Sequence, residues 1–414
     1  MKAFKTFNKI SEASDPSRNT HLTHIEDLVI YGGVDGARQA ITALRSLRNM
    51  LAGEASKSVD VSQKWDGAPA VFFGPDPRDG QFFVATKGIF NKDPKVYHTH
   101  AEIDATLSGD LAVKMHVALD ELPKLGSTGI IQGDILFTTS TLKTQVIEGL
   151  RYVTFHPNTI VYAVPENSME ASALRTANLG VVLHTTYTGK SFETLKASYG
   201  VDVKKLHAVS SVWVQDAMLR DLSGTATMTE EETLEVTGAL STAGKIFQSI
   251  AGSTLKDIEN NPEFAQLIEQ FNNTFVRSGQ KMVDPVKHAH VLVDWIHTKF
   301  AKEAEERKTE KGKASVNDKR DQILSFFSPV NSANIVHVFA LQNAIVTAKE
   351  MLIRKLDRVG RISTFVKTTN GFRVTGSEGF VAIDRLSGGA VKLVNRMEFS
   401  TQNFDPSILK GWAR

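Results

Sequence analysis

The spacing of apolar positions changes twice along the chain. Between residues 35 and 52, Ala37, Ala40, Ile41, Leu44, Leu47 and Leu51 recur at helical spacing, and Gly53 ends the run. This predicts an amphipathic helix. From 59 the pattern becomes that of short strands. Residues 59–61, 70–73 and 81–86 form three runs, and the Gly/Pro/Asp-rich stretch 74–80 separates the last two. Further strands are expected at 129–137, 152–155, 159–164 and 180–185, with a helix over 101–122. Residues 191–360 carry mostly helical spacing, clearest at 231–250, 262–275, 286–306 and 335–356. Pro285 suits a helix start, and 308–315 reads as an exposed polar loop. Strands return at 364–366, 372–374, 379–383 and 390–394.

A sheet that starts at 59 and resumes at 364 is most simply one domain with an insertion. The expected fold is therefore α+β: antiparallel sheets with flanking helices, interrupted by a large all-α insertion. The expected divisions are 1–54, an N-terminal segment and helix; 55–190, the first part of the sheet domain; 191–360, the helical insertion; and 361–414, the final strands. Residues 1–20 are polar and expected to be loose. No repeat of 20–50 residues is present.

Composition narrows the classes. The chain has 414 residues, 41% hydrophobic and 23% charged, ordinary for a globular protein. No apolar run reaches the ~18 residues of a membrane span. The N-terminus lacks the apolar core of a signal peptide, so a cytoplasmic protein is expected. There are no cysteines, which excludes disulfides and thiolate metal sites. Net charge is +2, so nucleic-acid binding would need a local patch.

Polar residues at strand ends are the candidate chemistry. Lys64 closes a strand ahead of Asp66-Gly67, which reads as a hairpin turn. A lysine kept from water beside a carboxylate titrates low and becomes nucleophilic. Lys87-Gly88 follows the third strand. Asp134 lies among Ile130, Ile131 and Ile135, where burial would be costly for an unpartnered carboxylate. Glu378-Gly379 precedes a strand and Lys392 lies within one. His21, His24 and Glu26 could ligate a metal. They read better as a loop before a helix, with histidines capping or packing.

In this order the residues resemble the covalent nucleotidyltransferases: ATP-dependent DNA and RNA ligases and mRNA capping enzymes. Lys64-Trp65-Asp66-Gly67 matches the Lys-x-Asp-Gly motif and Lys87-Gly88 the basic residue before Gly. Gly133-Asp134 matches a Gly-Glu strand with Asp for Glu. Residues 155–162 resemble the next strand of phage-type RNA ligases, and Glu378-Gly379-Phe380-Val381 matches Glu-Gly-apolar-Val. The last motif has two lysines one residue apart. Lys392 is present, Ala390 and Val394 flank it, and Arg396 is the candidate substitute. The resemblance covers roughly 55–190 and 362–396. Too few residues follow Arg396 for the C-terminal OB-fold of DNA ligases, which favours an RNA-ligase-like enzyme. Residues 21–27 and the Lys-Trp-Asp-Gly strand also resemble uncharacterised proteins of large tailed phages.

The resemblance implies an ATP-dependent RNA ligase working through lysyl-AMP on 5′-phosphate and 3′-hydroxyl ends. Lys64 would be the nucleophile. Lys87 and Lys392 would offset phosphate charge. Asp134 would bind ribose, and Glu378 with Asp66 would hold Mg²⁺. Asp66 could also orient Lys64. Phe155 or Tyr162 would pack on the adenine or in the core. The partner would be nucleic-acid ends, RNA rather than DNA, in the host cytoplasm if phage-encoded. The helical block would be an accessory substrate-binding part. The alternatives are a nucleic-acid-binding protein that keeps the fold with reduced turnover, and a nucleotidyltransferase modifying RNA ends or protein.

Overall fold

The computed structural model describes residues 22–53, 59–218, 228–327, 331–357, 362–384 and 390–412. His21 of the histidine motif lies outside them. The strands are β1 (Val59–Lys64), β2 (Ala70–Pro75), β3 (Phe82–Ala85), β4 (Ile130–Thr138), β5 (Lys143–Ile147), β6 (Leu150–Phe155), β7 (Ile160–Pro165), β8 (Leu179–Thr188), β9 (Lys196–Tyr199), β10 (Val212–Asp216), β11 (Ser363–Thr368), β12 (Gly371–Val374), β13 (Gly379–Asp384) and β14 (Ala390–Leu393). The helices used below are α1 (Gly33–Leu51), α2 (His100–Thr106), α3 (Gly109–Glu121), α4 (Met169–Thr176), α5 (Glu230–Ser249), α6 (Gly252–Asn260), α7 (Pro262–Arg277), α8 (Pro285–Glu305), α9 (Glu310–Phe327), α10 (Ser332–Asp357) and α11 (Arg396–Phe404). The fold is α+β. Among the described residues no single helix is long and apolar enough to cross a membrane.

The strands form three sheets. Their orders are β1-β13-β14, β10-β8-β4-β2-β3 with β9 also on β8, and β12-β11-β7-β6-β5. All described pairings are antiparallel except β8–β10. The expected hairpin through Asp66-Gly67 is not formed. β1 pairs with β13, and β2 lies between β4 and β3. The reason is burial on both sides of β2. Val71 and Phe73 face one core and Phe72 another, so β2 takes a central place in its sheet. After Lys64 the chain crosses from the first sheet to the second.

Local chemistry sets several helix starts. Thr99 with Glu102 and Thr229 with Glu232 form capping boxes at α2 and α5. Asp284 caps α8, with Pro285 in its first turn. Three expectations shift. Strands continue to Asp216, so the helical block spans Glu230–Asp357 rather than starting at 191. Residues 310–315 are helical, the start of α9. This helix buries only Val316, Ile323 and Phe327, a stripe too sparse to stand out in a polar sequence. The N-terminal segment is not separate. Ile25, Leu28 and the apolar face of α1 share one core with α5–α10.

That core also takes Val61, Phe380, Ala382, Val391 and Leu393. The β1-β13-β14 sheet thus lies with its back on the helical block. Its front carries Val381 and Ile383, which pack with Leu22, Tyr199 and Met218. Alternation along each strand separates the two faces. The helical block therefore supports the sheet that carries Lys64.

Candidate functional site

Lys64 ends β1 directly opposite Gly379 of β13. Gly379 has φ +139°, and a Cβ there would meet Leu393 O at 2.8 Å and Val394 Cγ2 at 2.7 Å. Glycine is thus required for β13 to start against β14, and the preceding Glu378 is set beside Lys64. Their side chains form an ion pair and hydrogen bond. Lys64 is 32% exposed and Glu378 9%. Burial first of all, with Asp66 and Asp134 nearby, lifts the Glu378 carboxyl to about 7, against the pull of Lys64.

Both residues line a cavity of about 430 Å³ between the front of the β1-β13-β14 sheet and the β4–β8 region. Volumes of this size suit small-molecule ligands. Asp134 lies on its wall, opposite Ala70 of β2 and Val182 of β8. It is half-buried, not buried as expected, because the cavity opens beside it. His184 Nε2 stands 3.5 Å from its Oδ2. Exposed Lys87 reaches the rim. Lys392 pairs with Val381 in register and so projects from the front face. It does not line the cavity. Burial, with Lys64 nearby, holds its ammonium below the usual lysine value. Five of the residues expected at the site, Lys64, Asp66, Lys87, Asp134 and Glu378, thus line one cleft.

Asp66 has a structural task as well, and Tyr162 and Arg396 lie outside the cavity lining. The Asp66 carboxylate accepts from Asn158 Nδ2 at 2.8 Å, Thr159 N at 2.6 Å and Ile160 N at 2.8 Å. It is 6% exposed, and burial raises its pKa even against these bonds. Those contacts anchor the β6–β7 turn, and Asp66 also lines the cavity, close enough to Lys64 for the ammonium to pull its pKa down. Gly67 follows because a Cβ there would meet Asp134 Cβ at 2.5 Å. The Tyr162 hydroxyl accepts from Asp66 N at 2.7 Å. Its ring is buried against Trp65 and Phe155, with centroids 4.9 and 5.1 Å away. Phe155 is equally buried, and neither ring lines the cavity. Arg396 ion-pairs with buried Asp27 and lies 3.5 Å from Glu26, so it does not stand in for the absent lysine.

The profile of DUF6267, a family of unknown function, matches residues 19–407. The chain belongs to this family. No curated protein and no solved structure matches it.

Three further residues of this DUF6267 protein line the cavity and were missed in the sequence: Gln132, His184 and Tyr187. The Tyr187 hydroxyl donates to Gln132 Oε1 at 2.8 Å, and His184 Nδ1 lies 2.8 Å from Thr185 Oγ1. The available signal was a histidine inside the β-branched run of β8. His24 is half-buried, and desolvation followed by Arg396 holds its pKa well below the usual histidine value.

Proposed function

We propose that the cleft performs covalent nucleotidyl transfer, with Lys64 as the nucleophile and ATP as the donor. The observation that carries this reading is the pairing of Lys64 with Glu378, which is 314 residues away in sequence, in a cavity that also holds Lys87 and Asp134. In the reaction the Lys64 Nζ lone pair attacks the α-phosphorus. A P–N bond forms, the bond to the bridging oxygen of the β-phosphate breaks, and pyrophosphate leaves. The ammonium must first lose a proton. Glu378, with its carboxyl near 7, is a suitable acceptor beside it. Lys87 and Lys392 would offset phosphate charge as it develops. Mg²⁺ prefers oxygen ligands, and the donor set fits it: Asp134 would hold the ion, joined by Glu378 once its proton has left, and it would neutralise phosphate charge. The domain would then be a ligase-type nucleotidyltransferase. The AMP would pass to a 5′-phosphate end that a 3′-hydroxyl seals, RNA being the favoured polymer, in the cytoplasm.

A second reading, adenylation with little sealing, draws on Arg396. Its burial with Asp27 leaves Lys392 as the sole cation of the last motif. Incubation with α-labelled ATP and Mg²⁺ tests the first step. Label should attach to wild type and not to Lys64→Ala. Equal labelling of both, or none on wild type, overturns the reading. Joining of a 5′-phosphorylated RNA by the labelled protein separates the two versions.

A further inference from the structure

The third sheet carries a cationic, aromatic surface that the cavity chemistry does not use. Lys143 of β5 lies opposite Thr154 of β6, which lies opposite Ala163 of β7. Phe365 and Lys367 of β11 share that face by alternation. Phe372 of β12 is the register partner of Lys367. Tyr152, Phe365 and Phe372 contact one another edge-on, with centroids 6.3 and 6.4 Å apart. α4 covers the opposite face, where Val153, Phe155 and Val164 pack with Ala171 and Leu174.

The C-terminal segment adds a third lysine at the end of this face. Leu409 N donates to Lys367 O at 2.8 Å, and Gly411 N donates to Asn158 O at 2.6 Å. Lys410 Nζ donates to Thr159 Oγ1 at 2.7 Å and Gln402 O at 2.9 Å, both neutral groups. His156 lies on the same face, on the β6–β7 turn, where the fields of all three lysines reach it. Burial and these three cations hold its imidazole down to about 4. Among the described residues no carboxylate lies within ion-pair distance of any of the three. Trp412 is tied by its Nε1 to Asn158 Oδ1 at 3.0 Å and is 65% exposed. The same Asn158 lines the cavity and donates to Asp66. Three lysines beside the half-buried rings of Tyr152 and Phe372 and the exposed ring of Trp412 suit a chain that alternates phosphates with flat bases.

We propose that the Lys143–Lys367–Lys410 face, with Trp412 at its inner end, binds a single-stranded polynucleotide and leads its end to the cleft at Asn158. The lysines contact phosphates and Trp412 stacks a base. The purpose of the site, delivery of an end to Lys64, rests on the nucleotidyl-transfer reading. The binding itself does not.

The test is fluorescence anisotropy of a labelled, 5′-phosphorylated strand of about 12 nucleotides, as RNA and as DNA, without ATP or metal. Each phosphate neutralised contributes about 0.7 to the salt slope for single strands. Lys143→Gln/Lys367→Gln should therefore flatten the log–log slope by about 1.4 and weaken binding about 25-fold at 0.1 M salt. Lys143→Arg/Lys367→Arg should retain binding. Trp412→Ala should weaken it about fivefold or more without changing the slope. The single variant Lys143→Glu, at an exposed position, serves if the double variant unfolds, and should weaken binding with a flatter slope. Unchanged affinity and slope in the Gln or Glu variants, or no binding by wild type, overturns the proposal. Preference between RNA and DNA identifies the polymer. With no nucleotide present, failure of lysine labelling would overturn the adenylation reading and leave this result standing.

Discussion

Replacing Glu378 with Gln should stabilise the protein above neutral pH and leave its stability unchanged in acid. Glu378 is 9% exposed, and burial above all lifts its carboxyl from 4.5 to about 7. A carboxyl that holds its proton more tightly folded than unfolded favours the fold only while protonated. Its contribution is fully present below pH 4.5, declines as pH rises, and is lost above about 7. At 1.36 kcal/mol per unit of pKa, that interval amounts to about 3 kcal/mol. The value already includes the help from Lys64, whose partial exposure weakens the pair. Gln keeps the shape and an acceptor for Lys64 but has no charge to bury. Urea unfolding of both proteins at about pH 4 and pH 8 should show a difference near zero at the first. At the second, the variant should gain up to about 3 kcal/mol and should lose lysine labelling with ATP. A difference that does not change with pH, or a variant weaker at pH 8, would refute the account of Glu378 as a buried group kept for chemistry.

Asp66→Ala leaves two buried backbone N–H groups of the β6–β7 turn without acceptors; a loss of about 3 kcal/mol in urea unfolding is expected. Lys349→Met removes the closest cation of buried Glu26, whose two oxygens both lie 2.8 Å from Lys349 Nζ, and leaves it, among the described residues, only Arg396 at 3.5 Å. It should cost about 3–5 kcal/mol, most of it recovered in Glu26→Leu/Lys349→Met, as a double-mutant cycle would read. Gly67→Ala drives a methyl into Asp134 and should cost about 1–3 kcal/mol in thermal or urea unfolding, with slower lysine labelling. Excision of 230–357 should give no cooperative unfolding transition, because α1 and the back of the β1-β13-β14 sheet lose their core partner.

Strands and long helices were legible where one face carries the signal. α1, α5, α7, α8 and α10 fall within a few residues of their expected spans. β4, β8 and β13 read as apolar runs. Elements without such a stripe did not: α6 and α11 are short, α9 buries three residues, β9 holds few apolar positions, and the apolar run of β10 is only three residues long. Pairing was less legible than strand position. Nothing in residues 59–73 reveals that β1 and β2 belong to different sheets, because the partner of β1 lies more than 300 residues away. The turn residues Asp66-Gly67 suited a hairpin equally well. Close packing of Gly67 on Asp134 and the demand of the 156–160 turn for a carboxylate decide their use.

The same distance explains which site residues could be read. Lys64 and Glu378 were legible because strand ends place them in motif order, and Gly379 marks the close approach of β14. Asp66 sits in the same motif, yet its oxygens are spent on backbone N–H groups from β7. One-dimensional order gives no sign of that. Arg396 lies in α11 within reach of Glu26 and Asp27, which neutralise it. The helical block then has a physical role that its length alone did not convey. β1, β13 and β14 bury Val61, Phe380, Ala382, Val391 and Leu393 against helices from both ends of the insertion and from the N-terminus. A three-stranded sheet with one face to a cleft needs its other face covered to hold Lys64 and Glu378 in fixed register. The insertion supplies that cover, so the Lys64–Glu378 pair depends on packing contributed by residues far from the cleft.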